Sequence, residues 1–440
     1  MSSEQKKNYI VQPGGRFQGS LRVPGDKSIS HRSIMLGSLA EGITEVTGFL
    51  EGEDALATLA SFRAMGVQID GPKEGKVTVH GVGMQGLKSP EEDVYLGNSG
   101  TSIRLLSGLL AGQRFASTLT GDTSLSGRPM KRVTDPLAQM GAVIESHDGK
   151  PPLIVKAGNT LKGITYTLPM ASAQVKSCIL LAGMYAQGTT TVTEPTPTRD
   201  HTERMLSGMG YKVDVQGDTV SLEGGGKLMA ANINVPADIS SATFFMVGAA
   251  ISEGSDLTLT HVGINPTRIG VINILCLMGA DITMSNEKMT GGEPVADIRV
   301  QYTPLKGINI PEEQVPLAID EFPALFIAAA CAEGKTVLTG AEELRVKESD
   351  RIQAMVDGLT ILGIDAQSTT DGIIIHGGVI GSGEVESHDD HRIAMSFAIA
   401  GLQAGGTIVI NDCANVATSF PNFIELASTA GLTIEEVECE

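Results

Sequence analysis

Met65-Gly66-Val67-Gln68-Ile69 joins the end of an apolar helical pattern to a short alternating run through a single glycine. A glycine just past a helix takes the left-handed turn that other residues adopt only at a cost. The same pattern returns at Met140-Gly141-Ala142-Val143-Ile144 and at Met209-Gly210-Tyr211-Lys212-Val213. It returns again at Met278-Gly279-Ala280-Asp281-Ile282, Leu362-Gly363-Ile364-Asp365-Ala366 and Ala430-Gly431-Leu432-Thr433-Ile434. Successive copies lie about 70 residues apart, so the chain reads as six copies of one supersecondary unit.

The content of the unit is clearest in the first copy. Leu21–Val23 reads as a strand, Lys27–Ala40 as a helix and Thr44–Leu50 as an alternating strand. Asp54–Met65 reads as a second helix with Leu56, Leu59, Ala60 and Met65 on its apolar face. Val67–Ile69 and Lys76–His80 complete the unit as two more strands. Six such α/β units divide into two lobes of three. The break falls near Asn234-Val235-Pro236-Ala237-Asp238, which matches Val23-Pro24-Gly25-Asp26 in order: strand, Pro, small residue, Asp, helix. The expected lobes are 24–237, and 1–23 with 238–440, the N-terminal strand joining the second lobe.

Polar and cationic residues gather where a strand turns into a helix. Lys27, Ser28 and Arg32 stand there in Pro24-Gly25-Asp26-Lys27-Ser28-Ile29-Ser30-His31-Arg32. The first backbone N–H groups of a helix lack internal partners and favour an anion. The second copy opens with Gly97-Asn98-Ser99-Gly100-Thr101, and Arg128 follows on a loop before another helix. The third opens with Met170-Ala171-Ser172-Ala173-Gln174, and Arg199 lies on a later loop. The second half repeats the habit at Asp320-Glu321-Phe322, Arg345-Val346-Lys347-Glu348-Ser349-Asp350-Arg351 and His388-Asp389-Asp390-His391-Arg392. One such helix start is an ordinary cap, whereas several at the same point of a repeat mark a site. Glu321, Asp389 and His388, taken singly, read as caps or solvated groups.

Composition narrows the ligands. The 440 residues carry a net charge of −19, which disfavours nucleic acid and anionic membranes as partners. Local clusters of Arg and Lys stand out against that field. The five cysteines form no C-x-x-C pair, so neither zinc nor a disulfide framework is indicated. Met1–Lys7 leads into no apolar signal core, and the apolar stretch Phe322–Ala332 is too short to span a membrane. The expected setting is reduced and cytoplasmic. Gly81-Val82-Gly83-Met84-Gln85-Gly86 matches a dinucleotide fingerprint, but no amphipathic helix follows it. Gly334-Lys335-Thr336 resembles the end of a P-loop, but Ala329 stands where its first glycine belongs.

The segments G-D-K-S-I-S-H-R, S-A-Q-V-K-S, R-V-K-E-S-D-R and D-H-R-I-A-M-S together resemble the 5-enolpyruvylshikimate-3-phosphate synthase family, in its bacterial class II form. The likeness runs from Pro24 to Thr418-Ser419-Phe420-Pro421. It implies two lobes, each of three βαβαββ units in an inside-out α/β barrel, with substrates bound in the cleft between them. It implies transfer of the enolpyruvyl group of phosphoenolpyruvate to the 5-hydroxyl of shikimate 3-phosphate, with release of phosphate. Lys27, Ser28, Arg32, Ser172, Ala173, Gln174, Arg199, Asp320 and Lys347 would hold shikimate 3-phosphate. Lys27, Gly100, Arg128, Gln174, Lys347, Arg351 and Arg392 would surround phosphoenolpyruvate. Asp320, Glu348 and Lys27 would carry the proton transfers, with no metal or organic cofactor, in a monomer.

The resemblance has departures. Glu343 replaces an Asn found in other members, and Thr418 replaces a Lys found in some, so neither is placed in the site. Gly100 stands where members insensitive to the phosphoenolpyruvate mimic glyphosate carry Ala, and Leu105 where sensitive members often carry Pro. A sister enolpyruvyl transferase, acting on UDP-N-acetylglucosamine, carries a reactive Cys on the loop that reads Asp122–Arg128 here. A non-catalytic anion-binding repeat protein is the alternative of a different class. Lys27, Asp320 and Glu348 together argue against it.

Overall fold

The fold is described from a computed structural model covering residues 7–438. The N-terminal Met1–Lys6 stretch, read above as lacking a signal core, and Cys439 lie outside the described residues. The chain forms two compact units. One comprises Gly25–Val235 with Thr290–Glu293; the other comprises the segment ending at Pro24, Pro236–Met289 and the segment from Pro294 onward. The short piece Thr290–Glu293 is an addition to the expected span of 24–237.

Each unit holds three small sheets, and none of the six closes on itself among the described residues. Each sheet contains at least one antiparallel pair of strands. In the third copy Thr165–Thr167 runs parallel to Thr189–Thr193, which pairs antiparallel with Thr219–Glu223, itself paired with Val213–Gln216. The two lobes are inside-out in a specific sense: the helices that open the repeats are buried all round, while the strands alternate buried and exposed residues. Every residue of Ile239–Ile251 is buried, and so are nearly all of Phe322–Cys331 and His391–Ala400. These three helices pack on one another. In the other unit Gly100–Ala111 packs on Ala173–Gly183 so closely that a Cβ on Gly108 would lie 2.1 Å from the Cys178 carbonyl oxygen. Helices with no polar face must be interior; the cores they form are mainly aliphatic in the unit of Gly25–Val235, whereas the other unit adds a cluster of buried phenylalanines that includes Phe17, Phe245, Phe420 and Phe423.

The six repeat glycines all have positive φ: Gly66, Gly141, Gly210, Gly279, Gly363 and Gly431, between +82° and +125°. The repeat grammar is therefore a backbone requirement.

Some local expectations shift. The first helix ends at Leu39, and the strand Ala40–Thr47 begins at once, earlier than Thr44. The second helix, Glu53–Ala64, buries Ala55, Thr58, Leu59 and Phe62, while Ala60 is exposed and Leu56 half-buried. Asp54, in its first turn, is buried on the same helix. The strand before Pro24 is Gln18–Leu21, not Leu21–Val23. It pairs parallel with Asp256–Gly263, a strand of the fourth copy. The first copy's sheet is completed instead by Asn232–Asn234, parallel to Ala40–Thr47. Lys7–Gly15 is the centre of the sixth copy's sheet, between Ile408–Asn411 and Leu432–Glu438. Gly83 turns the chain at +78° with no helix after it, and Gly334-Lys335-Thr336 leads into the strand Lys335–Leu338, so neither nucleotide look-alike opens a helix. No helix among the described residues is long and apolar enough to cross a membrane.

Candidate active site

Asp26, Ser99 and Ser172 each accept a hydrogen bond from a backbone N–H of the helix they open. Asp238 and Asp390 do the same in the other unit. Caps of this kind fix where each helix begins, and so where the half-buried side chains on its first turn point.

In the unit containing Gly25–Val235, Lys27 Nζ lies 2.6 Å from Asp54 Oδ2. Asp54 stands in the first turn of Glu53–Ala64. Arg32 is buried, and all three of its nitrogens donate within the protein. Nε reaches Thr202 Oγ1 at 2.7 Å, Nη1 the Ser28 carbonyl at 2.9 Å and Nη2 Ser177 Oγ at 2.8 Å. Burial lowers its pKa to about 10, with Glu203 and Asp26 acting in the opposite sense and Arg199 in the same sense. Arg32 is charged at neutral pH and anchored, with Arg199 close enough to be felt. Gln174 donates from Nε2 to Thr101 Oγ1 at 3.1 Å and accepts from Arg104. Arg128 donates to Asn98. A Cβ built on Gly100 would lie 2.7 Å from Arg128 Nη1 and 3.3 Å from Arg104 Nη1. Gly100 therefore lies against two guanidinium groups. Ser28, Ser172, Ala173 and Arg199 are half-buried at or beside helix starts.

The other unit gathers its charges around Arg351, which is only 1% exposed. Its Nε donates to Asp390 Oδ2 at 2.8 Å, Nη1 to Asp320 Oδ1 at 3.2 Å and Nη2 to Glu348 Oε2 at 2.6 Å. Burial works against the charge of Arg351, but Asp390, Glu348 and Asp320 outweigh it and hold the pKa above the usual range. Lys347 Nζ lies 3.5 Å from the same Asp320 Oδ1 and 3.6 Å from Glu343 Oε1. Arg392 has its backbone N–H on Asp390 Oδ1 at 2.9 Å, and its side chain is half-buried. Asp320, Lys347, Glu348 and Arg351 thus form one connected cluster, with Arg392 placed by its backbone. Glu321 points elsewhere: it is buried, accepts from Ser240 and lies 3.5 Å from Arg268.

Several partners escaped sequence reasoning. Asp54, Asp390, Ser177, Thr202, Asn98 and Arg104 hold or flank the cations; Asp390, Asn98, Arg104 and Ser177 lie in or beside segments already singled out for charge, small residues or resemblance, whereas Asp54 and Thr202 lie outside all of them. Asp200, His201 and Glu293 have liganding atoms within 4.8 Å of one another. They are engaged already, Asp200 with Arg204 at 2.8 Å and His201 with Glu293 at 2.8 Å. Burial pushes the Cys178 and Cys331 thiols up to about 12. Neither suits a nucleophile.

Six βαβαββ repeats in two units, with cations and acids at the starts of buried helices, define the enolpyruvyl transferase fold and an enzyme class that handles small anions. The family model for EPSP synthase (3-phosphoshikimate 1-carboxyvinyltransferase) matches residues 11–426. A protein of Methylococcus capsulatus named 3-phosphoshikimate 1-carboxyvinyltransferase is 68% identical over 97% of this chain and 98% of its own length. One of the same name from Hydrogenovibrio crunogenus is 65% identical over 98% of each. The solved EPSP synthase of Acinetobacter baumannii superposes with a TM-score of 0.89 at 63% identity, covering 98% of this chain and all of that one. The chain belongs to the EPSP synthase family.

Proposed function

We infer that this chain transfers the carboxyvinyl group of phosphoenolpyruvate to the 5-hydroxyl of shikimate 3-phosphate, releasing phosphate. The observation that carries the reading is the pairing of Asp320 and Glu348 with one buried arginine, Arg351, beside Lys347, in a chain of this family. Both substrates are polyanions, so cations must offset their mutual repulsion. Lys27, Ser28, Arg32, Ser172, Ala173, Gln174, Arg199, Asp320 and Lys347 act on shikimate 3-phosphate. Arg32 does so from a fixed position, because its nitrogens are already engaged. Lys27, Gly100, Arg128, Gln174, Lys347, Arg351 and Arg392 act on phosphoenolpyruvate, the planar Arg forks suiting its carboxylate and phosphate.

The 5-oxygen attacks C2 of the enol and its proton passes to Asp320. The methylene carbon gains a proton from Glu348 or Lys27. The tetrahedral intermediate then returns a proton from the methyl group, expels phosphate and restores the enol ether. General acid–base help of this kind contributes ~10²–10⁴-fold, and fixed cations around the developing charge add to it. One chain supplies every residue in the scheme, which supports a working monomer. Cys178, Cys276 and Cys331 form no disulfide among the described residues, which agrees with a reducing cytoplasm.

Purified protein should release phosphate only when shikimate 3-phosphate and phosphoenolpyruvate are both present. Turnover with UDP-N-acetylglucosamine in place of shikimate 3-phosphate would overturn the reading.

A further inference from the structure

The Lys27 helix carries a residue that the reaction scheme leaves unused. His31 is fully buried one residue before Arg32. Its Nδ1 lies 2.8 Å from Thr58 Oγ1. Thr58 Oγ1 lies 2.7 Å from Ser102 Oγ, and Ser102 Oγ lies 2.7 Å from Ser99 Oγ. Thr58, Ser102 and Ser99 are 0%, 0% and 1% exposed. Four polar side chains thus form one buried chain across three elements: the helix of Lys27 and Arg32, the helix of Asp54, and the turn that opens the Gly100 helix. Ser99 caps that helix, accepting from the Ser102 N–H at 3.1 Å, and directly precedes Gly100. Asn98, the residue before it, holds Arg128.

The chain has a direction. His31 Nε2 is buried with no partner among the described residues. A bare ring nitrogen tolerates that better than an N–H, whose desolvation would go uncompensated. The proton therefore belongs on Nδ1, donating to Thr58. The Thr58 hydroxyl then donates to Ser102 at 2.7 Å rather than to the more distant Asp54 carbonyl at 3.4 Å, and the Ser102 hydroxyl donates to Ser99, with Ser102 Oγ also 3.3 Å from His31 Nδ1. A buried hydrogen-bonded network of this kind, in which every hydroxyl is engaged, specifies geometry more sharply than apolar packing.

We propose that His31 is a positioning residue which, through Thr58 and Ser102, sets the Ser99–Gly100 turn relative to Lys27 and so tunes the phosphoenolpyruvate side of the site. This rests on the reading that Gly100 and Arg128 act on phosphoenolpyruvate. No covalent or proton-transfer step is assigned to the network.

The test uses full-length Thr58→Val and Ser102→Ala, which remove single hydroxyls at nearly constant shape, together with the double variant. Each single change should raise KM for phosphoenolpyruvate roughly fivefold, the equivalent of one buried hydrogen bond. KM for shikimate 3-phosphate should be unchanged, and the double variant should be no worse than the worse single one. A purely structural role would lower thermal stability without this split in KM. Arg128→Lys serves as control. If it raises KM for phosphoenolpyruvate while the hydroxyl variants do not, the network proposal fails and the site reading stands. If Arg128→Lys leaves that KM unchanged, the site reading fails and the proposal falls with it. Nitrogen-15 NMR of histidine-labelled wild type gives an independent check. A proton on Nδ1 of His31 is expected, and a proton on Nε2 would overturn the ordering of the chain.

Discussion

A single buried guanidinium organises the two carboxylates proposed as the acid–base pair. Arg351 holds Asp320 and Glu348 on its outer nitrogens, while Asp390 holds its inner edge. Asp320→Ala removes a proton acceptor and leaves the cations, so both substrates should still bind while turnover falls ~10²–10⁴-fold. Isothermal titration beside steady-state rates checks this, and near-normal turnover would remove Asp320 as the base. Gly100 is a second single-residue lever. A methyl there meets Arg128 Nη1 at 2.7 Å, and Arg128 must swing away. Overpacking of a fitted site costs ~1–3 kcal/mol, or roughly 5- to 150-fold in affinity. Wild type should be inhibited by glyphosate in competition with phosphoenolpyruvate. Gly100→Ala should weaken glyphosate, the longer ligand, more than it raises KM for the substrate. His31 gives a pH signature. Burial, then Lys27 and Arg32, hold its pKa well below the usual histidine range. The unfolded chain binds the proton first, so the stability that His31 contributes is present above about pH 6.5 and is lost as pH falls below it. Urea melts of wild type and His31→Asn between neutral and mildly acidic pH should diverge in that sense. Parallel curves would show that His31 titrates normally.

At the level of elements, each repeat is a buried helix, a covering sheet and a glycine hinge between helix and strand. Gly363 isolates the hinge: its φ is +84° and a Cβ would meet nothing within 4 Å. Gly363→Ala should therefore cost only the left-handed backbone term, ~1–2 kcal/mol, read as a lower denaturation midpoint at unchanged activity. The third repeat depends on a buried charge. Lys176 ties its helix to Glu194 at 2.6 Å and to Glu203 at 2.7 Å, all three side chains nearly inaccessible. Lys176→Met would strand two carboxylates, and breaking such a pair costs ~3–5 kcal/mol. A loss of stability under ~1 kcal/mol would place the pair in the weak, solvated class instead.

For the whole molecule, a net charge of −19 is opposed locally by cations fixed at helix starts. Three of those cations are held by acids: Lys27 by Asp54, Lys347 by Asp320, Arg351 by three carboxylates. Such pairing keeps positive side chains in place in a strongly acidic protein, as the proposed binding of two anionic substrates requires. Shikimate 3-phosphate should raise the melting temperature by mass action, by about 2.7 kcal/mol of stability at 100 times its dissociation constant. Differential scanning calorimetry reads this directly. No shift at saturating ligand would contradict binding to the native state.

By itself the sequence determined the six-fold repeat, the helix starts and the family. These are local signals: a glycine at a helix end, a cap, an apolar period of 3.6 residues. Gly66 and Gly363 carry the same backbone instruction although they lie at opposite ends of the chain. Only the tertiary structure decided what the site cations hold. Asp54 is 27 positions from Lys27, Asp390 is 39 from Arg351, and Thr202 is 170 from Arg32. The tertiary structure also decided that Gln18–Leu21 serves the fourth copy's sheet and Asn232–Asn234 the first. Local periodicity carries no information about such pairings. A buried charge or an open sheet edge takes whichever partner the packed helices bring within about 3 Å, and that choice exists only once the cores have formed.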